Sequence, residues 1–318
     1  MWFRFLLAAL TIFFAGRYLS DLADETADIT GLSKGFIGAL ILGLITSLPE
    51  LIGTLTAVLF RANTDLGVGN IFGSNLFNIA ILAGAVLVFA TRIKPGDWIH
   101  GSLFTVYMSI CVAAFMVMLI YLLRGPSTGW WENLGSITIL GFFTAGMWLY
   151  SREKSAASVT SAKKGQRSLA VNIILIVILG SVVVAAGILL ADSCDDIAKN
   201  THMTATFVGS LFMAMATSFP ELVVTIRLLE QGNIRMATGN IFGSNLFNLC
   251  IIAFVDLMYR GTIFSNVTGP QTVLLATSIL MSGLFLIGAT IRALRKTSIR
   301  LDNIIILVLY LCIYFWLY

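Results

Sequence analysis

The sequence predicts an all-α polytopic membrane protein of ten transmembrane helices, built as two inverted five-helix repeats. Three observations lead there. Of the 318 residues, 58% are hydrophobic and only 11% charged, with a mean hydropathy of +0.92, whereas soluble domains carry roughly a quarter charged residues. Apolar runs near the ~20 residues that cross a bilayer as a helix follow one another along the chain. A polar motif pair also occurs twice. Thr46-Ser47-Leu48-Pro49-Glu50, followed by the block from Gly69 to Asn78, returns as Thr217-Ser218-Phe219-Pro220-Glu221, followed by Gly239 to Asn248, the second block letter for letter.

The predicted spans are 2–20, 36–60, 66–90, 99–123, 133–150, 169–190, 205–229, 237–258, 270–293 and 303–318. Lipid offers no hydrogen bonds to bare backbone, so runs of this length must be helices, and the short alternating strands of a barrel are not seen. The first run lacks a strongly basic start and a clear cleavage motif, and it has a counterpart at the start of the second half, so it reads as a mature helix rather than a signal peptide. Spans four, five, nine and ten are apolar scaffold with scattered glycine. Trp98, Trp130, Trp131 and Trp148 fall near span boundaries, where amphipathic rings anchor helices.

Sliding the sequence over itself by 171 residues aligns Glu50 with Glu221, and an offset of 170 aligns the glycine-rich blocks. Five spans precede the basic linker and five follow it. An odd number per half makes the second half enter from the opposite side, the inverted-repeat organisation of many transporters, whose substrates bind near the midplane. The domains are thus a first repeat at 1–151, with its motifs in 43–78, a short basic cytoplasmic linker at 152–168, and a second repeat at 169–318, with its motifs in 214–248.

With the N-terminus outside, fifteen basic residues fall on the inner side and five (Arg4, Arg61, Arg124, Lys199 and Arg260) on the outer. This bias predicts a multi-pass protein of the cell (plasma) membrane with both termini outside. It also accounts for the formal charge of +4 without a nucleic-acid partner. The linker's Arg152, Lys154, Lys163, Lys164 and Arg167 fix topology, with lipid headgroup contact as the alternative. Cys111, Cys194, Cys250 and Cys312 show no CxxC spacing and imply neither a disulfide scaffold nor a zinc site.

Glu50 and Glu221 lie inside apolar spans, where a charge costs on the order of a few kcal/mol or more and persists with a partner or in a wet cavity. No lysine or arginine is present in either motif, so a cation from water is the indicated partner. The structural alternative is a protonated glutamate bonded to a neighbouring helix. Pro49 and Pro220 each remove a backbone donor and obstruct the carbonyl four residues earlier, opening the helix just before the glutamate. Gly43 and Ala214 leave space for exposed carbonyls. Thr46, Ser47, Thr217 and Ser218 add hydroxyl oxygens. An ordinary proline kink relieved by hydroxyl side chains would explain one copy better than two.

In the second blocks, Ser74 and Asn78 share a helix face, as do Ser244 and Asn248. Gly69 and Gly73, with Gly239 and Gly243, have the small-xxx-small spacing of close helix packing, which explains the glycines but not the Ser and Asn. Carboxylates, hydroxyls, amide oxygens and backbone carbonyls without His or Cys make an all-oxygen set suited to Ca2+ or Na+. Mg2+ demands tighter octahedral geometry, and Zn2+ prefers nitrogen or sulfur.

T-S-x-P-E followed by G-N-x-x-G-S-N-x-x-N, in both halves, resembles the alpha repeats of the cation/Ca2+ exchanger superfamily, closest to prokaryotic Na+/Ca2+ exchangers, over nearly the whole chain. The resemblance implies a ten-helix fold in which helices two, three, seven and eight enclose the ions while the first and sixth slide across them. It implies Ca2+ and Na+ as transported ions, no organic cofactor and no enzymatic activity, with a monomer sufficient. Thr46, Glu50, Thr217 and Glu221 resemble the family's calcium ligands. Ser47, Ser74, Ser218 and Ser244, with carbonyls near Gly43 and Ala214, resemble its sodium ligands. The chain departs from the pattern with Ile45 and Ala216, where many members have glycine, and with Asn248, where some sodium-coupled relatives carry aspartate. Two carboxylates, with amides at Asn78 and Asn248, balance one Ca2+, two Na+ or two H+.

The expected function is therefore a secondary antiporter exchanging Ca2+ for Na+ by alternating access. Proton coupling is the rival, since both glutamates can take up protons in a dry site. A cation channel is disfavoured by paired half-sites without a pore-lining ring, and an intramembrane enzyme by the lack of HExxH or GxSxG. Two further features carry expectations. Asp21, Asp24 and Glu25 align with Asp192, Asp195 and Asp196; they either concentrate cations at the two mouths of the pathway or are solvated helix ends and caps. His100 and His202 read as surface histidines without a metal-binding companion.

Overall fold

The computed structural model describes residues 2–93, 103–123, 132–152, 167–198, 213–295 and 300–317. Outside them lie Lys94, Trp98, His100, Arg124, Trp130, Trp131, Lys154, Lys163, Lys164, Lys199, His202 and Lys296, the start of the seventh predicted span, and the side chains of Cys194, Asp195 and Asp196. The described residues form an all-helical polytopic membrane protein of ten helical segments. They are α1 (Trp2–Thr30), α2 (Lys34–Phe60), α3 (Thr64–Val88), α4 (Phe104–Leu122), α5 (Glu132–Ser151), α6 (Leu169–Ala198), α7 (Ala214–Thr217 and Phe219–Glu230, flanking Ser218), α8 (Ile234–Met258), α9 (Gly269–Arg295) and α10 (Leu301–Leu317). Eight are long and apolar enough to cross a membrane, and α10 is a shorter apolar helix.

Two helices run well past their expected ends. The first span was expected to end at residue 20, but α1 continues through the acidic segment to Thr30. There the hydroxyls of Thr26 and Thr30 donate to the carbonyls of Leu22 and Thr26 at 2.7 Å each, and basic residues from other helices answer the charges. The helix stops at Gly31, whose φ of 69° is the left-handed conformation that ends helices. Likewise, α6 runs beyond its expected end at 190 to Ala198.

The proline in each first motif produces the expected break. In α2 the regular helix is interrupted at Ser47, with φ −88° and ψ 3°, and π-helical turns lie at Gly38–Leu42 and Thr56–Phe60. In α7 the equivalent Ser218 has φ −85° and ψ 9°. Helix resumes on Leu48-Pro49 and Phe219-Pro220, where proline's missing N–H costs nothing because a first-turn donor has no intrahelical acceptor.

The centre of the bundle is α3 and α8, each with 78% of its most apolar stretch buried inside the protein, against 33% for α5 and α6. Glycine sets how closely α2 can cross α8. A Cβ on Gly243 would overlap the backbone of Ala39, and one on Gly239 would overlap the carbonyl of Gly35, so the small-xxx-small spacing brings backbones into contact here. Asn63 and Asn233 cap α3 and α8 alike, their Oδ1 atoms accepting from Leu66 N at 3.0 Å and Met236 N at 3.4 Å. Helices α1 and α6 lie along each other beside this core. A small cluster of Ala8, Ile12, Ala186 and Leu190 packs there against Ala216 and Val223 of α7.

Candidate functional site

The two breaks face each other. All twelve residues singled out from the sequence, Gly43, Thr46, Ser47, Glu50, Ser74, Asn78, Ala214, Thr217, Ser218, Glu221, Ser244 and Asn248, are buried, and hydrogen bonds tie most of them into one network. Ser218 Oγ donates to Glu50 Oε1 at 2.9 Å, and Ser47 Oγ donates to Glu221 Oε1 at 3.3 Å. Thr46 Oγ1 lies 3.2 Å from Ser244 Oγ, and Ser74 Oγ lies 3.5 Å from Thr217 Oγ1. Each bond joins a residue before 80 to one after 210, and each has a mate with the roles exchanged. The carbonyl of Gly43 accepts from Ser244 Oγ at 3.2 Å, and that of Ala214 accepts from Thr217 Oγ1 at 3.4 Å.

One oxygen of each carboxylate is thus held by a serine. The other, Oε2 of Glu50 and of Glu221, is buried without a hydrogen-bond partner, as is Oδ1 of both Asn78 and Asn248. Buried acceptors are almost always paired, so four orphaned oxygens in two matched pairs demand an explanation. The two glutamates also act on each other electrostatically, and no salt bridge from lysine or arginine reaches either among the described residues. Such a set, two anionic oxygens with neutral ones, fits a hard cation that takes oxygen ligands.

Several members of the network were not singled out from the sequence. Asn75 and Asn245 lie between the two Asn-bearing turns, Asn75 Nδ2 donating to Asn245 O at 3.3 Å and Asn245 Nδ2 to Asn75 O at 3.1 Å. Asn70 and Asn240 donate to Thr54 and Thr225 at 3.2 Å each. The signal was available: all four asparagines sit inside the block that repeats letter for letter.

The two ends of this region differ. At the end carrying Asp21, α1 is clamped to α7. Arg227 Nε and Nη2 donate to the two oxygens of Asp21 at 2.8 and 3.0 Å, Gln231 donates to Asp21 at 2.7 Å, and Arg17 pairs with Glu230 at 2.7 Å. Lys34 and Asn233 hold Asp24 at 2.6 Å, and Arg167 holds Glu25 at 3.3 Å. The first acidic cluster is therefore neither an open cation funnel nor a set of solvated caps; it is an ion-paired clasp. At the other end, a cavity of about 70 Å3 runs from Pro49 past Gly53 and Thr56 to Arg61, with Ile188 and Asp192 on its far wall. Asp192, Ile188 and Thr56 stand 171 residues from Asp21, Arg17 and Arg227. Three positions of the clasp at one end thus have counterparts that line a cleft at the other.

Comparison with known proteins shows the family. The family model described as sodium/calcium exchanger protein matches residues 1–149 and 170–318. The putative antiporter CaxA of Alkalimonas amylolytica is 24% identical over 95% of this chain and 93% of its own length. The sodium/calcium exchanger MaX1 of Methanosarcina acetivorans is 23% identical over 79% and 81%, and the inner membrane protein YrbG of Escherichia coli is 27% identical over 70% and 68%. In fold, the chain resembles the sodium-calcium exchanger NCX_Mj soaked with Na+ and Sr2+, with a TM-score of 0.72, 21% identity and coverage of 97% of this chain and 95% of that one. The breadth of the family match decides the assignment: the chain belongs to the sodium/calcium exchanger family, and it is a membrane antiporter and not an enzyme.

Proposed function

We propose that this antiporter exchanges Ca2+ for Na+ by alternating access at a midplane site formed by Glu50 and Glu221. The oxygens of Thr46, Ser47, Ser74, Asn78, Thr217, Ser218, Ser244 and Asn248 and the carbonyls near Gly43 and Ala214 complete the ligand set. The observation that carries this reading is the matched set of partnerless buried oxygens on Glu50, Glu221, Asn78 and Asn248. Residues 1–151 and 169–318 act as two inverted repeats joined by the cytoplasmic linker 152–168; the exchange of roles between mated hydrogen bonds supports this. Both termini face outward across the plasma membrane, and one copy of the chain suffices.

The clasp at the Asp21 end and the cleft at the Arg61 end support alternating access, with the Arg61 end open to the outside and the cytoplasmic end shut. Helices α1 and α6 are then the moving pair, because they pack on each other and on the broken helices α2 and α7. Opening the cytoplasmic side separates Asp21 from Arg227 and Arg17 from Glu230.

Proton coupling is the second reading, favoured by one observation. The site offers two carboxylates, with amides at Asn78 and Asn248, and two protons balance that charge as well as two Na+ do. Uptake of radiolabelled Ca2+ into proteoliposomes separates the readings. Uptake into Na+-loaded vesicles without a pH gradient supports sodium coupling, and uptake driven only by a pH gradient overturns it. Flux that needs no counter-gradient and runs at channel rates would sink exchange altogether.

A further inference from the structure

Which way a buried asparagine points its oxygen is ordinarily assigned from its partners rather than observed. Here the partners leave no choice. A backbone carbonyl can only accept, so the bonds from Asn75 to Asn245 O and from Asn245 to Asn75 O must come from the two Nδ2 groups. That turns Oδ1 of Asn75 toward Asn248 and Oδ1 of Asn245 toward Asn78. An amide oxygen also only accepts, so Asn248 and Asn78 must each present their NH2, and they do, at 3.0 Å in both cases. Their own oxygens are left facing the other way, fully buried and without a hydrogen-bond partner.

We propose that Asn75 and Asn245 are positioning residues that lock the amides of Asn248 and Asn78 with oxygen, never NH2, toward the transported cation. The inference rests on the cation-site reading above and specifies how that site is kept free of N–H donors. An unrestrained asparagine would present either end, and its NH2 end repels a cation. The lock removes that alternative without adding charge. Each lock reaches across the chain's two halves, so the orientation of a ligand in one half is set by the other. Outer-layer partners of this kind commonly alter metal affinity by about 10- to 100-fold when removed.

The test is a double-mutant cycle in reconstituted protein, read as the half-saturating Ca2+ concentration and the maximal rate of uptake. Asn75→Ala raises half-saturation at least about tenfold while the maximal rate changes little. Because Asn75 acts through Asn248, adding Asn75→Ala to Asn248→Ala produces no further shift. Half-saturation within about twofold of wild type in Asn75→Ala, or multiplying effects in the double variant, overturns the proposal. Asn245→Ala with Asn78→Ala is the independent mate of this cycle and decides if Asn75→Ala does not fold, with Asn75→Ser and Asn245→Ser as milder versions. Glu50→Gln separates the two levels. If it abolishes uptake while both locks prove inert, the site reading stands and only the lock fails; if it transports normally, the site reading fails and takes the lock with it.

Discussion

Ser218 donates its hydroxyl to Glu50 Oε1 at 2.9 Å across the two halves of the chain, leaving Oε2 of the same carboxylate buried and without a partner. The serine fixes the rotation of the carboxylate, so the second oxygen has one defined direction. Glu50→Gln and Glu221→Gln keep the shape and remove the charge, and each is expected to reduce Ca2+ uptake to background in proteoliposomes. Ligand stabilisation gives an independent readout. At 100 times its dissociation constant, a bound ion stabilises the folded protein by about 2.7 kcal/mol, and thermal unfolding in detergent should show that increment in the wild type and lose it in both variants.

The α2–α8 crossing predicts a stability effect separable from transport. A Cβ on Gly243 overlaps the Ala39 backbone, which is not a flexible side-chain end that can swing away, whereas one on Gly141 has nothing within 4 Å. Gly243→Ala should destabilise the protein by about 1–3 kcal/mol through overpacking. Gly141→Ala, in mid-helix α5, should be neutral or stabilising by up to ~1 kcal/mol. Thermal melts of the two variants side by side test this.

Asp256 serves the fold from outside the site. It is fully buried near the end of α8 and accepts from Ser136 Oγ at 2.5 Å, Thr262 Oγ1 at 2.8 Å and Ile263 N at 2.7 Å, joining α5 and the turn after α8. Asp256→Ala strands these donors and should cost at least about 1–3 kcal/mol, the penalty for one buried group left unmade. Half-saturation for Ca2+ in the surviving protein should not move.

The clasp between α1 and α7 should set the balance between the two ends. Its four charged side chains are 27–39% exposed, so each pair is worth about 0.2–1 kcal/mol. Asp21→Asn combined with Glu230→Gln should therefore shift populations by a few-fold toward opening at the Asp21 end. In a cysteine-free background, labelling of Thr56→Cys in the cleft should slow, and labelling of Val223→Cys on the α1-facing side of α7 should quicken. High salt should reproduce part of the effect in the protein carrying the native clasp, because exposed charges are screened.

Much of this was legible in the sequence because duplication acts as its own control. A proline or glycine in an apolar run has many explanations, but Pro49 with Glu50 and Pro220 with Glu221, each followed by the same ten-residue block, has few. The clasp was not legible. Asp21 and Arg227 are 206 residues apart, and Arg17 and Glu230 are 213 apart, and no local rule relates such positions; read alone, the acidic run looked like a cation-gathering mouth or a solvated helix end. Asn75 and Asn245 were visible as letters, but their role depends on which backbone carbonyl each amide meets, and that is a property of the packed helices.

Most of the side-chain hydrogen bonds at the centre have one partner in each half of the chain. Neither half taken alone contains a finished cavity lining: Glu50 would lose Ser218, Ser244 would lose Thr46, and each asparagine lock would lack its counterpart. Either half by itself would strand buried hydroxyl and amide groups, so the two depend on each other for a satisfied interior.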